Sequence, residues 1–306
     1  MPEAEASQTE PDATTAYLER FLWLSLGAAV VILGIKLAAA SITGSIGMWS
    51  DAVESTVNVV AAGVALWALR LSAKPADDNH DFGHGKAEYF SAAVEGSMIL
   101  VAAAVIIVGA LMRLLSPQPL EQLGIGLLLL AIATSANLLI GLVLVRAGRR
   151  HRSITLEADG QHLLTDVWTS IGVLVAIGLV ALTGLHWLDP VIALVVAANI
   201  LVTGYKLVRR SVVGLLDGTL PEDEVAKVSQ VLDEVAHDPR VHIAQLRTRE
   251  SGRQRFVYAT VRVPGEWTVA RSHDLADAVE HAVDAALPGT TTFVHIEPNA
   301  DRHAAA

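Results

Sequence analysis

Two pairs of residues in otherwise apolar surroundings are placed to do chemistry. His162-x-x-x-Asp166 puts an imidazole and a carboxylate one helical turn apart. Asp51-Ala-Val-Glu54-Ser55-Thr-Val-Asn58 is the second polar run. At about 100° per residue, Asp51, Ser55 and Asn58 share a narrow face, with Glu54 roughly 60° from Asp51. If two such helices faced each other, carboxylates and an imidazole could meet at one divalent cation, and mixed nitrogen and oxygen ligands suit zinc and the first-row metals. The plain alternatives are a helix–helix hydrogen bond through His162 and Asp166, a membrane-edge place for Asp51, and an ion pair of one of these acids with Lys36. A third polar constellation, Asp77, His80 and His84, lies in a loop where Gly83 and Gly85 free the backbone to fold back on itself. Its plain alternative is a turn with surface charges.

The elements that must carry these residues are membrane helices. Hydrophobic residues make up 52% of the chain and charged residues only 18%, against about 25% in soluble proteins. A spanning helix needs roughly 20 mostly apolar residues. Six stretches meet that length, at about 18–40, 46–69, 88–114, 122–147, 161–184 and 188–208. An ionised side chain at the centre of such a helix costs about 2.5–3.5 kcal/mol on insertion scales, so it carries a role or a partner. The connections at 70–86 and 146–152 and the exit after the sixth stretch hold ten bases, whereas Arg113 stands alone on the other side. That asymmetry places both termini in the cytoplasm. The first 17 residues are acidic and lack a basic leader region, which reads as a tail rather than a signal peptide.

Charge and composition exclude other classes. The net charge of −10 resides at the two ends, and no basic surface for nucleic acid is present. There is no cysteine, hence no disulfide, thiolate metal site or cysteine nucleophile. His-Glu-x-x-His, phosphate-loop and Gly-x-Ser-x-Gly motifs are all missing. From residue 216 onward the pattern changes to helix, two strands, helix, strand. The expected organisation is an acidic tail at 1–17, a six-helix transmembrane domain at 18–210, an αββαβ domain at 216–298 and a short tail at 299–306.

The loop Lys-Pro-Ala-Asp77-Asp78-Asn-His80-Asp81-Phe-Gly-His84-Gly-Lys86-Ala-Glu88 resembles the signature of the cation diffusion facilitator family of divalent-metal transporters almost residue for residue. The His162-x-x-x-Asp166 pair, the six spans and the Leu246-Arg247-Thr248-Arg249-x-Ser251-Gly252 segment are similar as well, so the resemblance covers roughly residues 18–298. It implies an α-helical membrane protein whose αββαβ domain is cytoplasmic, ferredoxin-like and metallochaperone-like. It also implies a homodimer in the plasma (inner) membrane that exports Zn, Fe, Mn or related divalent metals in exchange for protons by alternating access. The metal is then substrate and, at further sites, a structural ion.

The implied transport site is Asp51 and Ser55 with His162 and Asp166, and the implied loop site is Asp77, His80 and His84. Lys86 and Asp217 correspond to a charge interlock between helix 3 and the cytoplasmic domain. Ser55 stands where zinc- and iron-handling members carry a second Asp, so Glu54 and Asn58 are substitutes for it. In the cytoplasmic domain, Ala244 and Thr260 replace metal-binding histidines, while His273, His295 and Glu297 persist and His242 lies nearby. Isolated surface histidines are the plain alternative there. Two other readings of the whole chain are a metal-binding scaffold or sensor that does not transport, and an intramembrane metal hydrolase, for which no separate general base stands out.

Overall fold

The structure is a computed structural model, and it describes residues 10–43, 46–115, 124–185 and 187–299. Two compact units divide between Val212 and Val213. The first holds α1 (Glu10–Thr43), α2 (Ile46–Ser72), α3 (Ala87–Leu115), α4 (Gly124–Arg150), α5 (Ile154–Thr183) and most of α6 (Leu188–Leu215). The second holds α7 (Glu222–Val235), β1 (His242–Ser251), β2 (Gln254–Val263), α8 (Val269–Ala286) and β3 (Thr290–Pro298).

Among the described residues, six helices are long and apolar enough to cross a membrane. Their outward faces are apolar, with Val101, Val105, Met112 and Leu139 each more than 60% exposed. Water would not tolerate a continuous surface of that kind, and hydrocarbon would. Inside, two buried clusters hold the helices together. Leu18, Leu22, Leu66, Leu69, Leu144, Leu156 and Leu163 join α1, α2, α4 and α5. Tyr89, Ile99, Ile154, Ala158, Ile200 and Leu207 join α3, α5 and α6. α5, which carries His162 and Asp166, is thus the helix common to both.

The α4–α5 contact is closer than side chains allow. A Cβ at Gly160 would lie 2.8 Å from the backbone nitrogen of Val145, and one at Gly148 would lie 2.6 Å from that of Glu157. Small residues let two backbones meet in this way. This fixes the height and rotation of α5.

Two boundaries differ from the hydropathy reading. α5 starts at Ile154 rather than near 161, because Ser153 caps it by accepting from Leu156 N. Glu157, Asp159 and Gln161 dilute the apolar signal in those first turns. α1 starts at Glu10, so residues 10–17 of the expected tail are helical. Leu18 and Leu22 are completely buried soon afterwards.

In the second unit β1 pairs antiparallel with β2, and β2 pairs parallel with β3. α8 provides the crossover between the parallel strands. Val228 and Leu232 of α7, Val257 and Val261 of β2, and Val279 and Val283 of α8 form the core. The αββαβ order expected from the sequence is the observed one.

Candidate metal sites

The membrane site is built around an amide. Asn58 on α2 donates from Nδ2 to Asp166 Oδ2 at 2.9 Å, and its Oδ1 lies 3.0 Å from His162 Nε2. The first bond fixes which end of the amide faces Asp166. Oδ1 is then an acceptor, so Nε2 of His162 carries the proton in this contact. His162 is 7% exposed, and its Nδ1 is buried without a partner. Asp166 is half-buried. One amide oxygen, one imidazole and one carboxylate therefore converge from two facing helices. If a metal ion replaced the amide contacts it would find a nitrogen and two oxygen types ready to ligate it.

Ser55 sits three residues before Asn58 and is 2% exposed. It lines a small cavity whose polar residues also include Ser25, Lys36, Asn58 and Asn137. The structure thus brings Asn58 into hydrogen-bond contact with the His162–Asp166 pair. The backbone of Asp51 and Glu54 lies in α2, one of them seven and the other four residues before Asn58. Their side chains lie outside the described residues.

The loop cluster is closed. Asp77 Oδ1 is 2.9 Å from His80 Nδ1, and Asp77 Oδ2 is 3.3 Å from His84 Nε2. The two imidazole centres are 4.3 Å apart. Backbone bonds between Asp77 and His80 fold the loop back, and Gly83 takes φ 73° to turn it. One ligand atom from each of the three residues lies within 4.8 Å of the others, the single such group among the described residues. The bond from His80, then the backbone N–H of Asn79, holds the Asp77 carboxyl below its ordinary range. A carboxylate kept ionised beside two imidazoles suits a divalent cation.

Glu88, one turn beyond the loop, fixes this cluster against the helices. It is completely buried and accepts from Ser72 Oγ at 3.3 Å and Ser153 Oγ at 2.5 Å. Those serines end α2 and cap α5. Sequence reasoning quoted Glu88 within the motif but gave it no role. It also passed over Glu95 and Asp159, both fully buried carboxylates on α3 and α5. The signal for Glu95 was a lone acid inside an apolar run, whereas Asp159 stood among the polar residues that open α5.

In the second unit the candidate residues are more dispersed. His273 Nδ1 is 3.6 Å from Asp277, and His295 Nε2 is 3.7 Å from Glu297, whose other oxygen accepts from Arg262. Neither set joins a group of three ligands among the described residues. Thr260 stands opposite His295 in the β2–β3 register. Asp217, at φ 57°, is paired with Arg249 at 2.9 Å inside its own unit.

Residues 22–216 match the cation efflux transmembrane domain, and residues 220–299 match the cytoplasmic domain of cation efflux proteins. The uncharacterized transporter sll1263 of Synechocystis is 48% identical over 288 residues, covering 94% of this chain and 93% of that protein. The cation-efflux pump FieF of Escherichia coli is 32% identical over 271 residues, covering 88% and 89%. FieF of Escherichia fergusonii aligns to the same extent. The chain belongs to the cation efflux, or cation diffusion facilitator, family. It is a multi-pass membrane transporter of divalent metal cations with a cytoplasmic αββαβ domain.

Proposed function

We propose that the protein exports a divalent transition-metal ion from the cytoplasm in exchange for protons, as a homodimer in the plasma membrane with both termini cytoplasmic. The observation that carries this reading is the Asn58 amide held between His162 and Asp166 across α2 and α5. The metal takes the place of that amide contact. His162 and Asp166 ligate it from α5, Asn58 supplies a carbonyl oxygen from α2, and Glu54 or Asp51 supplies the second carboxylate. Two carboxylates balance a divalent charge, so little uncompensated charge crosses the bilayer. Imidazole and oxygen donors suit Zn, Fe or Mn. Ligands must shed protons to bind metal, which makes proton exchange the natural coupling.

Asp77, His80 and His84 form a second, loop site that receives or relays the ion. The match to a cytoplasmic domain of cation efflux proteins supports dimer formation through that domain. With a single His–carboxylate pair at each place, His273, His295 and Glu297 contribute at most a weak further site.

The test is metal flux in proteoliposomes over Zn, Fe, Mn, Co, Ni and Cd, with internal pH recorded together. Saturable flux with opposing proton movement is expected, and Asp166→Ala and His162→Ala should each abolish it in folded protein. Full flux in either variant, or flux without proton movement, overturns the corresponding part.

A further inference from the structure

α3 and α6 border a groove that neither metal site uses. A Cβ at Gly204 of α6 would lie 3.0 Å from Ile99 Cγ2 and from Leu100 Cδ2 of α3, so the two helices meet closely at that level. Beside this contact lies an open groove of about 720 Å³. Leu100, Leu201 and Val202 line its apolar end, and Tyr205, Lys206, Arg209 and Arg210 line the other.

The arrangement follows from helix geometry. Val202, Tyr205, Lys206 and Arg209 stand at i, i+3, i+4 and i+7, which is one face of a helix. All four are exposed. About 20 residues cross the hydrocarbon, so a span that starts at Leu188 reaches the far interface at about Val208. Residues 220–299, just beyond α6, match a cytoplasmic domain, so that interface is the cytoplasmic one. The apolar end of the groove thus lies at the depth of acyl chains, and the bases lie at the depth of headgroups. Tyr205 stands between them, where aromatic side chains border the two regions.

The charge at this place is not consumed inside the protein. Arg210 Nη1 donates to Glu157 Oε2 at 2.6 Å, and Glu157 also accepts from Arg149 at 3.3 Å, so one carboxylate serves two guanidiniums. Lys206 and Arg209 have no carboxylate partner among the described residues. A net positive charge therefore faces the groove. A second copy of the chain suits it poorly, because an isologous contact centred on this face would bring these same bases together. A phosphodiester carries the opposite charge, and its acyl chains continue into the bilayer past Val202. Basic pockets between membrane helices on the cytoplasmic side hold anionic headgroups in this way.

We propose that the groove binds one anionic phospholipid of the cytoplasmic leaflet. Lys206 and Arg209 hold its phosphate with Arg210 beside them, Tyr205 meets the glycerol, and an acyl chain lies along Leu100 and Val202. A lipid so placed bridges α3 and α6 at the point where α6 leaves the membrane.

The experiment is native mass spectrometry of the full-length protein, equilibrated in detergent with dioleoyl phosphatidylglycerol or with dioleoyl phosphatidylcholine. One phosphatidylglycerol per chain should be retained in preference to phosphatidylcholine. Each base near an anionic lipid adds about fivefold in affinity, so Lys206→Gln/Arg209→Gln should weaken retention roughly 25-fold. Arg146→Gln/Arg150→Gln removes two exposed bases at the cytoplasmic end of α4, outside the groove, and should leave retention unchanged. Inorganic phosphate should not displace the lipid. Equal retention of the two lipids, an equal loss in both double variants, or displacement by phosphate overturns the proposal. So does a Lys206→Gln/Arg209→Gln protein that sheds its dimer and keeps the lipid, which would make this face a contact between copies.

Discussion

Ser153 Oγ donates to Glu88 Oε2 at 2.5 Å, and the same oxygen accepts from Leu156 N to cap α5. One hydroxyl thereby ties the first turn of α3 to the first turn of α5. Ser72 at the end of α2 joins the same carboxylate. The loop with Asp77, His80 and His84 begins and ends at this junction, and the helix carrying His162 starts from it.

Ser153→Ala should therefore act twice. Loss of the cap costs about 1 kcal/mol. Leaving a buried carboxylate short of a donor costs roughly 1–3 kcal/mol more. Thermal unfolding in detergent should show a clear drop in midpoint, and zinc affinity at both sites should fall because α5 and the loop lose their common anchor. Ser153→Thr keeps the hydroxyl and should recover most of the loss. A Ser153→Ala protein as stable as the wild type would show that the junction is held elsewhere.

The Asn58 contacts lead to a second expectation. Asn58→Ala removes an oxygen donor and the orienting bond to Asp166, and should weaken zinc binding by about 10–100-fold, the range seen when groups that orient ligands are lost. Asn58→Asp adds a charge and should tighten it. Ser55→Ala removes only a neutral hydroxyl, a weak ligand, and should cost less than Asn58→Ala. Calorimetry on the three variants decides the matter: a harmful Ser55→Ala beside a silent Asn58→Ala would return the ligand role to Ser55.

Much of this architecture could be read from residue patterns, and the reason is physical. Apolar length alone marks α3 and α6, since lipid selects for composition rather than for packing. The close spacing of Asp77, His80 and His84 made the loop cluster readable, because a short chain can bring only neighbours together. The choice between Ser55 and Asn58 was harder. It depends on the rotation of α2 against α5, which is set by distant contacts such as the backbone approach at Gly148 and Gly160. The start of α5 was obscured because its first turns are polar but buried, with Thr155 and Asp159 both almost without exposure.

The second unit offers a pH test. Asp238 follows α7 and accepts from Arg240 at 2.9 and 3.1 Å. That bond, then the Arg240 backbone N–H, lowers the Asp238 carboxyl from 3.8 to about 2. A carboxyl lowered by folding contributes stability that is fully present above 3.8 and is lost as pH falls through about 2. Asp238→Asn should thus lower the denaturation midpoint of the unit at neutral pH, and the gap from wild type should close in strong acid. A gap that persists unchanged at the lowest pH would mean that packing, not charge, explains the loss.

The loop site should answer to pH in a different manner. Asp77 is held ionised by its bond from His80, so its charge persists well into the acid range. The two imidazoles must be free of the competing proton to ligate. Metal affinity at the loop should therefore fall in acid because protons compete for the imidazole nitrogens. His80→Ala/His84→Ala should remove one binding event in calorimetry and leave the membrane event in place, because none of Asn58, His162 or Asp166 is altered. An unchanged number of bound ions in the double variant would show that the loop closes on itself without holding metal, its imidazoles serving only to brace Asp77.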